Sequence, residues 1–176
     1  RDATGELVGA LEADRLAVDV LVNNAGYGVP GRFLRSSWNV HADFLEVMTT
    51  GPVELTHRLL PGMVERRYGR IVNVSSLAAF VPASAGHTLY SASKLFVLRF
   101  SESLALEVAH QGVRVCALCP GFTYSEFHDV NGMRPRVSKM PRFLWMDAER
   151  VAREGVDAVE AGRSVHIPGG VNRAIA

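Results

Sequence analysis

Tyr90 and Lys94, in the run Tyr90-Ser91-Ala92-Ser93-Lys94, place a phenol and an ammonium at a spacing that one helical turn brings to a single face. Ser76 and Ser75 lie fourteen and fifteen residues before Tyr90. A phenol, an ammonium and a hydroxyl gathered at one point can move a proton on and off an oxygen. Carbonyl reduction and alcohol oxidation both need that chemistry. A free phenol titrates near 10, too high for an efficient base at neutral pH, and a neighbouring ammonium favours the phenolate. A fall of about two to three pH units corresponds to about 3–4 kcal/mol, and that fall is the expectation for Tyr90 beside Lys94. Taken alone, the pair is better read as a tyrosine packed at a helix start beside a solvated lysine. The surrounding elements decide between the two.

Short β-branched runs alternate with longer helical periods, the pattern of a parallel α/β layer fold. The spacing predicts helices over 6–14, 41–67, 90–110 and 148–161, and four parallel strands over 19–23, 70–74, 113–119 and 164–167. Gly51-Pro52 inside the second helix predicts a kink or restart, because proline removes a donor and clashes with the preceding turn. Gly112 is the stop signal of the third helix and Asp147 the N-cap of the fourth. The chain has 176 residues, 48% of them apolar, enough for one domain with a core. A net charge of +1 with interspersed signs argues against nucleic acid and a generic membrane surface as partners. There is no signal peptide and no apolar run near the roughly 18 residues of a spanning helix, so a cytoplasmic protein is expected. Cys116 and Cys119 sit three apart in one strand and point to opposite faces, which disfavours a redox pair or half a zinc site. His41, His57, His87, His110, His128 and His166 lack metal-ligand spacing and read as structural or surface residues, so no metal is expected.

Four motifs stand in order at the ends of these strands: Asn23-Asn24-Ala25-Gly26, Ser75-Ser76, Tyr90-x-x-x-Lys94 and Pro120-Gly121. In that order they resemble the short-chain dehydrogenase/reductase family, from about residue 18 to about residue 173. The resemblance implies an α/β fold: the C-terminal part of a doubly wound parallel-sheet Rossmann domain, three layers α-β-α, with residues 1–176 as a single partial domain. It implies an oxidoreductase that transfers a hydride between NAD or NADP and a small apolar alcohol or carbonyl compound. Tyr90 would be the acid/base and Lys94 its partner and ribose clamp, with Ser76 holding the substrate oxygen. Asn23, Ala25, Gly26, Tyr90, Lys94, Pro120, Gly121 and Thr123 would line the cofactor. Many members have the serine thirteen residues before the tyrosine, where Leu77 stands here, so Ser75 and Ser76 both remain candidates. Ser76 matches the second serine of the family pair; its alternative role is a strand-end cap.

Two departures from the family pattern follow. Met48 stands where the family commonly has an asparagine that helps hold a relay water, and a thioether cannot donate a hydrogen bond. The relay is then either rebuilt by other groups or impaired. No glycine-rich turn follows a strand before Val18, so the pyrophosphate cradle and the residues that separate NAD from NADP are not seen. The strand at Val18 to Asn23 would then have an open edge, and the chain by itself is expected to be insoluble, molten or oligomeric. The resemblance makes residues 122–146 a substrate lid; its Phe122, Tyr124, Phe127, Met133, Met140, Phe143, Leu144, Trp145 and Met146 suit an apolar substrate or, equally, simply pack the lid onto the sheet. Arg134, Arg136, Lys139 and Arg142 could meet an acidic substrate group there, although solvated lid charges are more usual. Helices 41–67 and 90–110 would carry a homo-oligomer interface. A non-catalytic remnant or dimerisation module is the alternative function.

Overall fold

The computed structural model describes residues 3–82, 84–127 and 138–176. Helix α1 covers Ala3–Ala13 and strand β1 Val20–Asn23. After a 3₁₀ turn at Phe33–Arg35, α2 runs Trp38–Leu45, passes through a π turn at Glu46–Thr50, and continues as α3 over Gly51–Glu65. The predicted break at Gly51-Pro52 is thus a change of winding. Pro52 sits in the first turn of α3 directly after the wide turn, across which the Gly51 N–H bonds back to the Glu46 carbonyl.

Strand β2 (Gly69–Val74) leads through a 3₁₀ turn at Leu77–Ala79 to α4 (Tyr90–Val108). A 3₁₀ turn at Ala109–Gln111 ends that helix. Gly112 follows with φ +83°, and a Cβ there would overlap the Arg67 carbonyl, so both backbone and space require glycine. Then come β3 (Val113–Leu118), β4 (Phe122–Tyr124), a 3₁₀ turn at Arg142–Leu144, β5 (Trp145–Asp147), α5 (Ala148–Glu160), β6 (Val165–His166) and α6 (Gly170–Ile175). Asp147 occupies the N-cap of α5, but its side chain makes no capping bond.

The main sheet is all parallel in the order β1-β2-β3-β6, with Asn23 opposite Asn73 and Val74 opposite Leu118. Strands β2 and β3 are buried on both faces and read as near-continuous apolar runs for that reason. One face presents Leu21, Ile71, Val113 and Val115 to Met63 of α3 and to Leu104 and Val108 of α4. The other presents Val72, Cys116 and Leu118 to Val151, Ala158 and Val159 of α5. The fold is a doubly wound parallel sheet between helical layers. Cys116 packs on the α5 side and Cys119 beside Leu98 of α4, both as buried free thiols on opposite faces. Burial pushes them up to about 11 and about 12 respectively, which keeps both thiols protonated and unreactive.

The predicted irregular stretch before Trp145 contains a second, two-stranded parallel sheet, β4 with β5, in which Phe122 faces Trp145. Met133, Arg134, Arg136 and His128 lie outside the described residues. On β1, Leu21 is buried while Val20 and Val22 are 56% and 54% exposed. No helix among the described residues is long and apolar enough to cross a membrane, and no group of His, Cys, Asp and Glu side chains among them could hold a metal ion.

Candidate active site

The carboxyl ends of β1, β2 and β3 converge, which is where ligands bind in open α/β sheets. Beyond Val74, the Ser75 N–H donates to the Leu118 carbonyl at 2.7 Å and the Leu77 N–H to the Pro120 carbonyl at 2.8 Å. These bonds tie the segment after β2 to the turn after β3. Successive residues in extended backbone point to opposite sides, and the two serines divide accordingly. Ser75 is buried, and its Oγ donates to the Lys94 carbonyl at 2.7 Å, bracing α4. Ser76 turns the other way. Its Oγ accepts from the Ala78 N–H at 3.1 Å and donates to the Pro120 carbonyl at 3.5 Å, and the same hydroxyl acts on the Tyr90 phenol, favouring its ionised form. Ser76 therefore caps its turn and also reaches the phenol.

Tyr90 opens α4, half-buried, with its ring 5.9 Å from that of Phe127. Burial pushes its phenol above the usual value of 10, and the Ser76 hydrogen bond offsets part of that rise. The expected depression by Lys94 is not what this geometry gives. The ammonium lies 5.8 Å from the Tyr90 ring centre and donates to the Val74 carbonyl at 2.8 Å, so desolvation of the phenol dominates. Lys94 itself is 6% exposed, and burial lowers its pKa to about 8, an effect that the nearby Cys119 partly opposes.

Asn23 is anchored behind the site. Its Nδ2 donates to Asn73 Oδ1 at 2.7 Å and Thr56 Oγ1 at 3.2 Å, and Asn73 Nδ2 donates to Ser101 Oγ at 2.9 Å. Ala25 is exposed at the sheet edge. Gly26 is approached from behind by Met48, whose Sδ would stand 3.0 Å from a Cβ. Met48 is buried in the π turn and fills this space with a thioether. Gly121 is backed by Asn172, whose Oδ1 would lie 2.5 Å from a Cβ, and Asn172 is held by the Pro168 carbonyl at 2.8 Å. Thr123 Oγ1 donates to the Gly121 carbonyl at 3.2 Å. Trp145 is flanked by the rings of Phe122 and Tyr124 at 5.3 and 4.8 Å.

Asn73, Ser101 and Asn172 escaped the sequence reading. Asn73 carried a signal, an amide in the otherwise apolar run Arg70 to Val74; Ser101 and Asn172 carried none.

A doubly wound parallel sheet with serine, tyrosine and lysine side chains at its carboxyl edge defines a Rossmann-like α/β protein. Residues 1–133 match the model of the short chain dehydrogenase family, and the chain belongs to that family. It is 38% identical over 167 residues to an uncharacterised oxidoreductase of Myxococcus xanthus, covering 95% of this chain and 63% of the relative. It therefore spans just under two thirds of that relative's length. Among solved structures, a short-chain dehydrogenase from Sphingobium yanoikuyae in complex with NADPH superposes with a TM-score of 0.83 at 27% identity, covering 97% of this chain and 65% of that one. A bulky-bulky ketone specific alcohol dehydrogenase from Comamonas testosteroni gives 0.79 at 27% identity, covering 99% and 64%.

Proposed function

We propose that this chain carries the acid–base and nicotinamide side of an NAD(P)-dependent oxidoreductase site acting on an apolar carbonyl or alcohol. The observation that carries the reading is the grouping of Ser76, a half-buried Tyr90 and Lys94 at the carboxyl edge of the sheet, with the Lys94 ammonium 5.8 Å from the Tyr90 ring centre and Ser76 acting on its phenol. Tyr90, held as a phenol, donates its proton to the substrate oxygen during reduction and recovers it during oxidation. Ser76 steadies that oxygen. Lys94 has three donors, of which Val74 uses one, and the remaining two suit the vicinal hydroxyls of a ribose. The exposed Ala25 edge, Gly26, Pro120-Gly121 and Thr123 would flank the same cofactor. NADH or NADPH, when bound, supplies the hydride. The specificity of the Comamonas relative for bulky-bulky ketones, together with the aromatic set Phe122, Tyr124 and Trp145, supports an apolar substrate.

Leu95, Phe96 and Leu106 stand exposed on α4, Leu106 at 82%, and support a homo-oligomer through this helix and the α2–α3 path. The same surface would serve an interaction module that does not turn over. Titration of the purified chain with NADH and NADPH separates the two readings. Enhanced nicotinamide fluorescence with saturable binding is expected for the enzyme, and absence of binding at millimolar cofactor would leave the interaction module.

The two serines give a second test. Ser76→Ala is expected to lower kcat about a hundredfold, the scale of losing one donor to a reacting oxygen. Ser75→Ala removes one buried bond to α4, worth about 1 kcal/mol, and should lower Tm by about 2–4 °C with kcat nearly intact. Reversal of this pattern in steady-state assays and thermal melts would exchange the two roles.

A further inference from the structure

His41 lies in α2 and is 6% exposed. Its ring stacks on that of Phe33, centres 4.4 Å apart and planes 13° from parallel, and its Nε2 sits 2.9 Å from the Phe33 carbonyl oxygen. A carbonyl only accepts, so Nε2 carries the hydrogen, and in the neutral ring Nδ1 presents a lone pair. Among the described residues, this Nδ1 is the only buried side-chain nitrogen or oxygen without a hydrogen-bond partner. Such groups are rare because they lose their water without compensation. His41 lines a cavity of about 10 Å³, together with Arg32, Phe33, Phe44, Thr88 and Tyr90 among others. That volume holds one water-sized group. The cavity thus combines mixed apolar and polar walls, a histidine that carries an unused acceptor, and the proposed catalytic tyrosine.

We propose that this cavity is a subsite for a single hydroxyl group, with His41 Nδ1 as its acceptor. The hydroxyl belongs either to a carbonyl substrate with a second hydroxyl near the reacting carbon, or to a fixed water. The substrate form rests on the proposed role of Tyr90; the acceptor chemistry does not. A site built to bind a hydroxyl discriminates strongly against the analogue that lacks it, because the buried acceptor is then left unpaired. His41 would accordingly be a specificity residue, favouring otherwise apolar carbonyl compounds that carry one hydroxyl near the reacting carbon over their deoxy counterparts.

The test is nitrogen NMR of the full chain labelled with ¹⁵N-histidine, titrated with hydroxyacetone and, separately, with acetone. Hydroxyacetone is expected to move the His41 Nδ1 resonance toward the hydrogen-bonded position, while acetone leaves it in place. His41→Phe keeps a ring against Phe33 and removes the acceptor, and should reduce the preference for hydroxyacetone about tenfold. A resonance already in the hydrogen-bonded range and unmoved by either probe identifies the hydroxyl as a fixed water. A resonance at the free-nitrogen position that neither probe moves overturns the proposal. Failure of the oxidoreductase reading would look different: no NAD(P)H-dependent reduction of hydroxyacetone, with the nitrogen still responding.

Discussion

Tyr90→Phe is expected to lower carbonyl reduction by about a hundred- to ten-thousand-fold, the usual contribution of a positioned proton donor. The substitution keeps the ring beside Phe127 and removes only the hydroxyl that faces Ser76. The stability cost is therefore about 1 kcal/mol, or about 2–4 °C in Tm. The pH dependence follows from the direction of the Tyr90 shift. Burial raises this pKa above 10, so the proton is in place throughout the neutral range. Reduction uses that proton and should be nearly flat through neutral pH. Oxidation must first remove it, so its rate should climb about tenfold per pH unit until the Tyr90 pKa of the reacting complex is reached. Steady-state rates in both directions, for parent and variant, check this. A Tyr90→Phe protein that retains its reduction rate would exclude Tyr90 as the proton donor.

The strands were legible because buried parallel strands must be apolar on both faces: Ile71-Val72 and Val113 to Leu118 announce themselves without alternation. The π turn at Glu46–Thr50 was half legible. Gly51-Pro52 signalled an interruption, but whether a helix absorbs it by breaking or by one wider turn depends on packing, here Met48 against Gly26. Strands β4 and β5 are three residues each, too short for a period to show. Spacing alone left Ser75 and Ser76 open, whereas their opposite directions at the strand end separate them. The sign of the Tyr90 shift could not be read from Lys94 four residues on. It depends on where the ammonium is spent, and Val74 holds it. His41 looked like one of six ordinary histidines; only its unpaired nitrogen and neighbouring cavity set it apart.

Asn73→Leu is expected to cost the most stability. Asn73 is 0% exposed and links three elements: Oδ1 receives Asn23 of β1, and Nδ2 donates to Ser101 of α4, which passes its own proton to the Val97 carbonyl at 2.7 Å. Leucine is of similar size but cannot answer either partner. Asn23 Nδ2 can fall back on Thr56, whereas Ser101 Oγ loses the donor that Asn73 supplies, and a branched side chain must fit where an amide lay flat. The lost partner of Ser101 costs about 1–3 kcal/mol and the misfit of the new side chain about 1–3 kcal/mol more, so about 2–6 kcal/mol in all, or a fall in Tm on the order of 4–24 °C. The loss would also reach the site. Asn73 is followed directly by Val74, whose carbonyl holds Lys94, and then by the two serines; Asn23 leads into Ala25 and Gly26. Ser101→Ala removes one of the two links and should cost less than half as much. Thermal melts of the two variants measure this directly. Equal, small losses would show that apolar packing between the sheet and α4, rather than the amide bridge, holds the site in place.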